Sequence, residues 1–354
     1  MKAGRAELDP VALTRKLIDI ESTTYNEGAV GRELERFLAE RGFAVETMPV
    51  EQTPESRSTS ERLNVYAGAA GETPDVVFST HMDTVPPFLP SSEDADYIYG
   101  RGACDAKGII AAQIAAAERL RAEGVRVGLL FVVGEERDSA GAKVANQHSR
   151  GSRFLINGEP TDNRLALASK GTLRVRLTAK GKMAHSAYPE LGDSATHKLI
   201  EALHRVMALP LPVTEDVGAS TLNVGLIEGG RAPNVIADHA EAQMLIRLVG
   251  PAADTRAAVL KAVEGLVDAE FTLEIPFQRL RKIEGLPTMI AAFTTDIPWL
   301  NAWGEPLLLG PGSIHVAHTP NERLAKRELL EAVELYVKVA KGLTVQAHAP
   351  SAQF

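Results

Sequence analysis

The stretch of sequence that decides the fold reads Val76-Val77-Phe78-Ser79-Thr80-His81-Met82-Asp83. It begins with apolar residues that do not alternate with polar ones, which is typical of a strand buried on both faces of a sheet. The run then turns polar, so His81 stands at the carboxyl end of the strand and Asp83 follows two residues later. Open α/β sheets bind their ligands beyond the carboxyl ends of the strands, and the stretch therefore indicates a binding edge.

Similar short apolar runs lie on both sides of this stretch and alternate with helical patterns. The runs cover residues 63–67, 125–133 and 154–157, and an alanine-rich helical stretch covers residues 108–121. Strands without polar alternation, separated by helices, predict a mostly parallel sheet with helices on both faces, which is an α/β fold.

A different pattern occupies the middle of the chain. Residues 172–178 alternate apolar and charged side chains, as a strand with one solvated face does. Two helical and three further strand patterns complete the order β-α-β-β-α-β, which is typical of a ferredoxin-like α+β domain. We therefore predict a discontinuous catalytic domain of residues 1–169 plus 281–354, into which a second domain of residues 170–280 is inserted.

The composition of the 354 residues excludes several classes of protein. With 45% hydrophobic and 24% charged residues, the chain has the composition of a globular protein and not of a disordered or coiled-coil one. The 38 basic and 46 acidic residues give a net charge of −8 without a basic cluster, so we expect no nucleic acid partner. Neither a secretory signal nor an apolar run of membrane length is predicted, so we expect a cytoplasmic protein with no membrane partner.

Acidic side chains follow further strands of the predicted sheet. Asp105 lies where a helix begins, Glu135 and Glu136 follow one apolar run, and Glu159 follows the next. Carboxylates that meet at one sheet edge repel each other unless a cation lies among them. Because Cys104 is the only cysteine, the ligands must be His, Asp and Glu, which suits zinc, cobalt or manganese.

Each of these signals also has a simpler explanation. A His-x-Asp pair such as His81 and Asp83 is usually a surface pair, adjacent glutamates are usually a solvated charge run, and Asp105 alone would be a helix cap. Their repeated occurrence at strand ends favours a metal centre. The sequence contains no P-loop, no G-x-S-x-G elbow and no H-E-x-x-H motif that would indicate a different chemistry.

The motifs and their order resemble the zinc-dependent co-catalytic amidohydrolases, which include acetylornithine deacetylase, succinyl-diaminopimelate desuccinylase, aminoacylase and carboxypeptidase G. The resemblance implies a di-zinc exopeptidase-like fold in which the inserted domain is a lid and dimerisation domain. It extends over almost the whole chain, in residues 79–86, 100–108, 134–136, 158–161, 181–186, 310–313 and 317–322.

The resemblance implies two divalent metal ions per subunit, zinc in the first instance and cobalt as the alternative. His81 and Glu159 would bind one ion, Glu136 and His318 the other, and Asp105 would bridge them. His318 is preferred over His315 as this ligand, because it alone stands in the His-x-Pro-Asn-Glu context of the family.

Two further residues near these ligands are implied to act in catalysis. Glu135 would be the general base, and Asp83 would orient a histidine ligand, as carboxylates commonly do. The implied reaction is hydrolysis of the amide bond of an N-acyl amino acid, most similar to that of acetylornithine deacetylase. Succinyl-diaminopimelate desuccinylase, N-acetyl-lysine or N-acetyl-citrulline deacetylase, and dipeptidase or carboxypeptidase use the same kind of site. A non-catalytic binding homologue is the alternative from another class.

The inserted domain would contribute to substrate binding. By resemblance, residues 170–280 form a homodimer that places His185 of one subunit in the active site of the other. Asn234 and Arg247 would hold the substrate carboxylate, and Gly312 would line the substrate site. The simpler explanations are a surface histidine for His185 and a salt bridge on a strand face for Arg247.

Overall fold

The computed structural model describes residues 7–53, 56 and 58–346. Within them the chain divides into two compact units: the first contains residues 7–167, 280–289 and 295–346, and the second contains the rest. The ends of the predicted catalytic domain, residues 1–6 and 347–354, lie outside the described residues.

The observed units differ from the predicted division by one or two residues at each boundary, at 168–169 and 280, and by one further short segment. Residues 290–294 belong to the second unit, although the sequence prediction places them in the catalytic domain. Lys170 N donates to Ala291 O at 2.9 Å, and Ser169 Oγ donates to Phe293 O at 2.7 Å. These bonds join the segment to the first residues of the second unit.

The helices of the two units are α1 Pro10–Ile18, α2 Gly28–Glu40, α3 Lys107–Ala122, α4 Ala140–Asn146, α5 Ala195–Met207, α6 Ala252–Val263 and α7 Lys326–Gln346. Short 3-10 helices cover Pro189–Leu191, Ile297–Trp299 and Asn301–Trp303. Among the described residues, no helix combines the length and the apolar character that a membrane crossing requires.

The longer strands are β1 Ala44–Pro49, β2 Leu63–Gly68, β3 Val76–His81, β6 Val127–Val132, β7 Phe154–Asn157, β8 Leu165–Ser169, β9 Gly171–Lys180, β12 Thr221–Gly229, β13 His239–Leu248, β14 Asp268–Ile275, β16 Thr288–Ala291 and β17 Glu305–Leu308. Shorter strands are β4 Ser92–Glu93, β5 Tyr97–Tyr99, β10 Val213–Thr214, β11 Gly218–Ala219, β15 Gln278–Arg279 and β18 Arg323–Ala325.

A six-stranded sheet forms the centre of the first unit, with the order β1-β2-β6-β3-β7-β17. Strands β6, β3, β7 and β17 are parallel, whereas β2 runs antiparallel to both of its neighbours. The register pairs His81 with Val132 and Ser79 with Asn157. The carboxyl ends of three neighbouring strands therefore meet at one edge, and the predicted α/β fold is confirmed.

Both faces of this sheet are covered, as the apolar run of β3 predicts. Every residue of β3 is buried. Val76 and Phe78 pack in the apolar cluster that includes residues of α1, α2, α3 and α7, while Val77 packs on the opposite face with Trp303 and residues of α4. A parallel strand enclosed in this way can expose polar chemistry only at its end.

The second unit contains a four-stranded antiparallel sheet with the order β12-β13-β9-β14. Along the chain its main elements follow the predicted order β-α-β-β-α-β. Leu173, Val175 and Leu177 are fully buried with residues of α5 and α6, whereas Arg174 between them is exposed. The alternation produces one apolar face, which the two helices cover.

Candidate metal centre

His81 ends β3 and is almost fully buried. Its Nε2 lies 2.9 Å from Asp105 Oδ1, and its Nδ1 lies 2.9 Å from the main-chain oxygen of Asp83. A carbonyl can only accept, so Nδ1 carries the proton when it bonds there, and Nε2, which faces Asp105, is the nitrogen at which a metal would replace a proton. The Asp83 carboxylate is 3.6 Å from Nδ1. The carbonyl of Asp83, and not the predicted carboxylate, makes the shorter contact that orients the ring.

The Asp83 carboxylate binds backbone instead. Its Oδ1 accepts from Gly134 N at 2.9 Å and Glu135 N at 3.1 Å, and its Oδ2 accepts from Glu136 N at 3.2 Å and Thr24 Oγ1 at 2.8 Å. These bonds attach the turn after β6 to the end of β3. Asp83 therefore positions both glutamates of that turn.

Asp105 stands just before α3 and faces two imidazoles with its two oxygens. Oδ1 contacts His81, and Oδ2 lies 3.2 Å from His318 Nε2. The helix-cap explanation fails, because the cap of α3 is Ala106 and no side chain bonds to the first turn. Burial raises the pKa of Asp105, but its contacts with the two histidines outweigh burial and lower the pKa below its usual range. This geometry suits a bridging carboxylate.

Glu136 and His318 come from distant parts of the chain. Glu136 Oε1 lies 3.0 Å from His318 Nε2, and one ligand atom each of His81, Asp105 and Glu136 lies within 4.8 Å of the others. The backbone φ of His318 is 62°, which non-glycine residues adopt only when the surroundings impose it. Its carboxylate contacts raise the pKa of His318 to about 10.

Glu159 follows the end of β7 and is buried. Its Oε1 has no hydrogen-bond partner among the described residues. Burial raises the pKa of Glu159 well above its usual value; His81 opposes the rise, and Asp105 adds to it. Buried carboxylate oxygens are rarely left without a partner, so this atom fits a site that binds a cation.

Glu135 is partly exposed beside this group. Burial, followed by the charge of Glu159, raises its pKa well above the usual value. The backbone of Glu135 is fixed by Asp83, so its side chain projects from a held position.

Asp296 is a further buried carboxylate, which the sequence prediction missed. Neither of its oxygens makes a hydrogen bond of ordinary geometry to a described residue. Burial raises the pKa of Asp296 to about 7, and the nearby Ser139 hydroxyl offsets only part of this rise. Its sequence signal was available: an acid stands beside Ile297 and near Trp299 and Leu300 in an apolar segment.

Taken together, these side chains fit a metal centre. The donors are imidazole nitrogens and carboxylate oxygens without a thiolate, which suits zinc, cobalt or manganese. The raised pKa values of Glu135 and Glu159 reflect the cost of gathering like charges in a buried place, and a cation would remove that cost.

His185 and Asn234 lie close together in the second unit. His185 forms an isolated bridge with Val235, and Ser186 N donates to Asn234 O at 3.0 Å. Ala187 N donates to His185 Nδ1 at 3.1 Å, so the proton of the neutral ring is on Nε2. His185 is exposed and presents this N–H as a donor.

Arg247 lies at the other end of the same sheet. In the register of β9 and β13, His239 pairs with Lys180 near the His185 loop, and Arg247 pairs with Thr172. Eight residues of strand separate the two pairs, or about 26 Å at the usual rise of ~3.3 Å per residue. Arg247 donates to Thr172 Oγ1 at 2.7 Å and makes no salt bridge with a described acid. The salt-bridge explanation is not supported, and Arg247 is distant from Asn234 within one copy.

Gly312 has a packing role that the structure explains. Its φ is 90°, and a Cβ at this position would lie 2.4 Å from Cys104 Cβ. Its N–H donates to Glu328 Oε1 at 2.8 Å. The loop that contains Gly312 can therefore press against the residue next to Asp105 only with glycine here.

A mixed α/β sheet with a cluster of His, Asp and Glu side chains at its carboxyl edge fits a metallohydrolase. The model of the Peptidase family M20/M25/M40 matches residues 77–342. The chain belongs to this family, and its resemblance to the metal-dependent amidohydrolases is confirmed.

Two relatives show how far the similarity extends. A Peptidase M20 domain-containing protein of Schizosaccharomyces pombe is 40% identical over 342 residues, which cover 93% of this chain and 83% of the relative. A protein named probable carboxypeptidase from Paracoccidioides brasiliensis is 36% identical over 371 residues, covering 93% and 84%.

Solved structures share the fold at low identity. The aminopeptidase PepT of Bacillus cereus superposes with a TM-score of 0.78 at 20% identity, covering 96% of this chain and all of that one. The YXEP protein of Bacillus subtilis, described as a dinuclear metal binding peptidase, gives a TM-score of 0.65 at 15% identity over 95% and 97% of the two chains.

The unpaired Glu159 oxygen leads to a prediction about stability. In chelator-treated protein near neutral pH, Glu159→Gln should raise the free energy of unfolding by about 1–2 kcal/mol, because it removes a buried charge without a partner. The raised pKa of Glu159 determines the direction of the pH dependence, because burying the protonated carboxyl costs less free energy than burying the carboxylate. The wild-type protein therefore loses stability as the pH rises from 4.5 through the pKa of the folded state. The gain from the substitution should therefore shrink as pH falls towards 4.5.

Urea denaturation across this pH range measures the effect. Glu40→Gln is the control, because the Glu40 side chain is 58% exposed and pairs with Arg36 on the surface. With zinc added, the order should reverse, since the variant loses one ligand. A Glu159→Gln protein that is less stable than wild type under both conditions would contradict the assignment.

Proposed function

We propose that this chain hydrolyses the amide bond of an N-acyl amino acid, with an N-acetyl amino acid of the acetylornithine type as the first candidate. The observation that carries the proposal is the position of Glu135, whose backbone is fixed by Asp83 beside a cluster of metal-ligand side chains. General acid–base chemistry requires a carboxylate held in this way at a reacting water.

The metal ligands follow the pattern implied by the sequence. His81 and Glu159 would hold one divalent ion and Glu136 and His318 the other, with Asp105 between them. Two zinc ions bound there would polarise the acyl carbonyl and lower the pKa of the attacking water. The two oxygens of Asp105, which face His81 and His318 separately, support the bridging role.

Glu135 is the proton carrier of the proposed reaction. It accepts the proton of the attacking water and later transfers it to the nitrogen of the leaving amine. Burial raises the pKa of Glu135, which makes the carboxylate a better base than an exposed glutamate. His185 donates from Nε2 to the developing oxyanion, and its Nδ1 contact with Ala187 N supports that tautomer.

Arg247 suits the carboxylate of the substrate. It is partly buried and lacks a carboxylate partner among the described residues, and burial lowers its pKa. An anionic group of the substrate would supply the partner that this guanidinium needs. Both an N-acyl amino acid and a peptide carboxyl terminus have such a group. The name of the relative from Paracoccidioides brasiliensis therefore makes a carboxypeptidase the second candidate.

A homodimer through residues 170–280 is part of the proposal. β12 is an edge strand of the second unit, and its Leu226 and Ile227 side chains are 55% and 63% exposed. Edge strands with exposed apolar residues favour pairing with another chain. His185 and Arg247 are too far apart in one copy to hold one small substrate, whereas two copies can supply them from different subunits.

The substrate class is tested by amine release. We expect the zinc- or cobalt-loaded protein to release amine from N-acetyl amino acids faster than from N-succinyl amino acids or dipeptides. Chelation should abolish the release and added zinc or cobalt should restore it. Release from dipeptides alone would replace the deacylase with the peptidase alternative, and no release from any of them would support a binding homologue.

Two adjacent glutamates provide a matched pair for the base. Glu135→Gln should lower kcat by about 10²–10⁴ while both metals remain bound, because it removes proton transfer only. Glu136→Gln should lose activity together with one metal. Elemental analysis of each purified variant gives the metal content. The role of Glu135 is refuted by a Glu135→Gln enzyme with wild-type kcat.

The role of His185 across the dimer is tested by complementation. His185→Ala and Glu135→Gln chains should each be inactive alone. When they are co-expressed, random pairing in a two-fold dimer should restore about a quarter of wild-type activity, since half of the dimers regain one intact site. Glu135→Gln with Glu136→Gln is the control, because this pair leaves no intact site. A dimeric His185→Ala and Glu135→Gln mixture that stays inactive would place His185 in its own subunit's site, and a His185→Ala enzyme that is fully active alone would place it outside catalysis.

A further inference from the structure

Glu322 is a buried carboxylate in the turn that contains His318. Its side chain is completely inaccessible to solvent. None of the roles derived above uses it, and it is four residues away from the nearest proposed ligand in the sequence. Its contacts, however, reach the loop that carries Asp105, the proposed bridging ligand.

One oxygen of this carboxylate collects backbone N–H groups of the loop before α3. Glu322 Oε1 accepts from Gly102 N at 2.9 Å, from Asp105 N at 3.3 Å and from Cys104 N at 3.4 Å. Three N–H groups that point to one oxygen fix the direction of the backbone that bears the Asp105 side chain.

The other oxygen binds a buried guanidinium. Arg101 Nη1 lies 2.5 Å from Glu322 Oε2 and also donates to Thr319 O at 3.3 Å. Arg101 Nε donates to Pro87 O at 3.4 Å. The ion pair therefore contacts the residue next to His318 as well as the loop of Asp105, and its charges balance each other in the interior.

We propose that Glu322 is a positioning residue for the metal centre, which holds the Asp105 loop against the His318 turn. The inference rests on the proposed metal-dependent function. Asp105 must direct one oxygen to His81 and the other to His318, and both contacts depend on the orientation of its backbone.

The loop before α3 needs such a restraint. It contains Gly100 and Gly102, with φ of 134° and 92°, and it makes turns without a regular ladder. Glycine lowers the cost of these conformations but also leaves more alternatives open to the chain. A buried carboxylate with four bonds removes those alternatives at the place where the Asp105 side chain emerges.

The bonding pattern requires a carboxylate at position 322. All four partners named above are donors, so both oxygens must accept. A glutamine would direct its NH₂ group against either Arg101 or the backbone amides. Glu322→Gln therefore changes the hydrogen bonding of the loop with almost no change in side-chain volume.

The experiment titrates chelator-treated protein with Zn²⁺ in a calorimeter. For Glu322→Gln we expect ten- to hundredfold weaker binding of at least one of two ions, as for other residues that orient metal ligands. The visible absorption of the Co²⁺-loaded variant should also change, because the ligand geometry changes. We expect kcat to fall more than KM rises. Glu40→Gln, a surface change of the same type, should match wild type in all three.

Thermal unfolding of the metal-free proteins separates positioning from loss of fold. If Glu322→Gln does not fold, Glu322→Asp is used; its shorter side chain keeps the charge but cannot reach all four donors, so metal binding should again weaken. A folded variant with wild-type Zn²⁺ affinity and Co²⁺ spectrum overturns the inference. A wild-type protein that binds no zinc would instead refute the proposed function itself.

Discussion

The desolvation of carboxylates gathered at one sheet edge, together with their mutual repulsion, is the constraint on which the rest of this structure depends. Glu135, Glu136 and Glu159 are brought to one sheet edge beside Asp105, and burial raises the pKa of each of the three glutamates. Such an arrangement costs free energy in the folded state unless positive charge compensates it. The imidazoles supply part of that charge, and divalent ions would supply the rest. Without those ions, the stability of the α/β core must offset the uncompensated part of this free energy.

The parallel sheet explains why part of the site could be predicted from sequence. β3, β6 and β7 end at the same edge of the sheet. The residues just after each apolar run therefore lie close together, independently of the path that the loops take. His81, Glu136 and Glu159 carry this local signal. Neither His318 nor Asp296 directly follows the end of a strand, because loop residues separate them from β17 and β16, and only the family motif indicated His318. The pairing of His81 with the Asp83 carbonyl was not predictable, because a sequence does not show that three amides already occupy the carboxylate.

In the second unit, too, the sequence does not predict which residues pair across neighbouring strands. Its order of helices and strands follows from alternation, but the distance between His185 and Arg247 follows from which residues pair across β9 and β13. Motif order along the chain places both on one domain and does not show that they lie at opposite ends of its sheet. The proposal that His185 and Arg247 hold the same substrate therefore depends on the proposed dimer.

Hydrogen bonding divides the buried acids of the first unit into two groups. Asp83 and Glu322 have donors on both oxygens, most of them backbone N–H groups, and they hold loops in place. Glu159 and Asp296 have oxygens without a partner among the described residues. A carboxylate whose acceptors are filled cannot bind a cation without losing bonds, whereas an unfilled one gains by it. The distinction supports the proposed positioning role of the first group and the proposed cation binding by Glu159. Asp296 is the one acid of the two groups to which neither the sequence motifs nor the proposed reaction assigns a role.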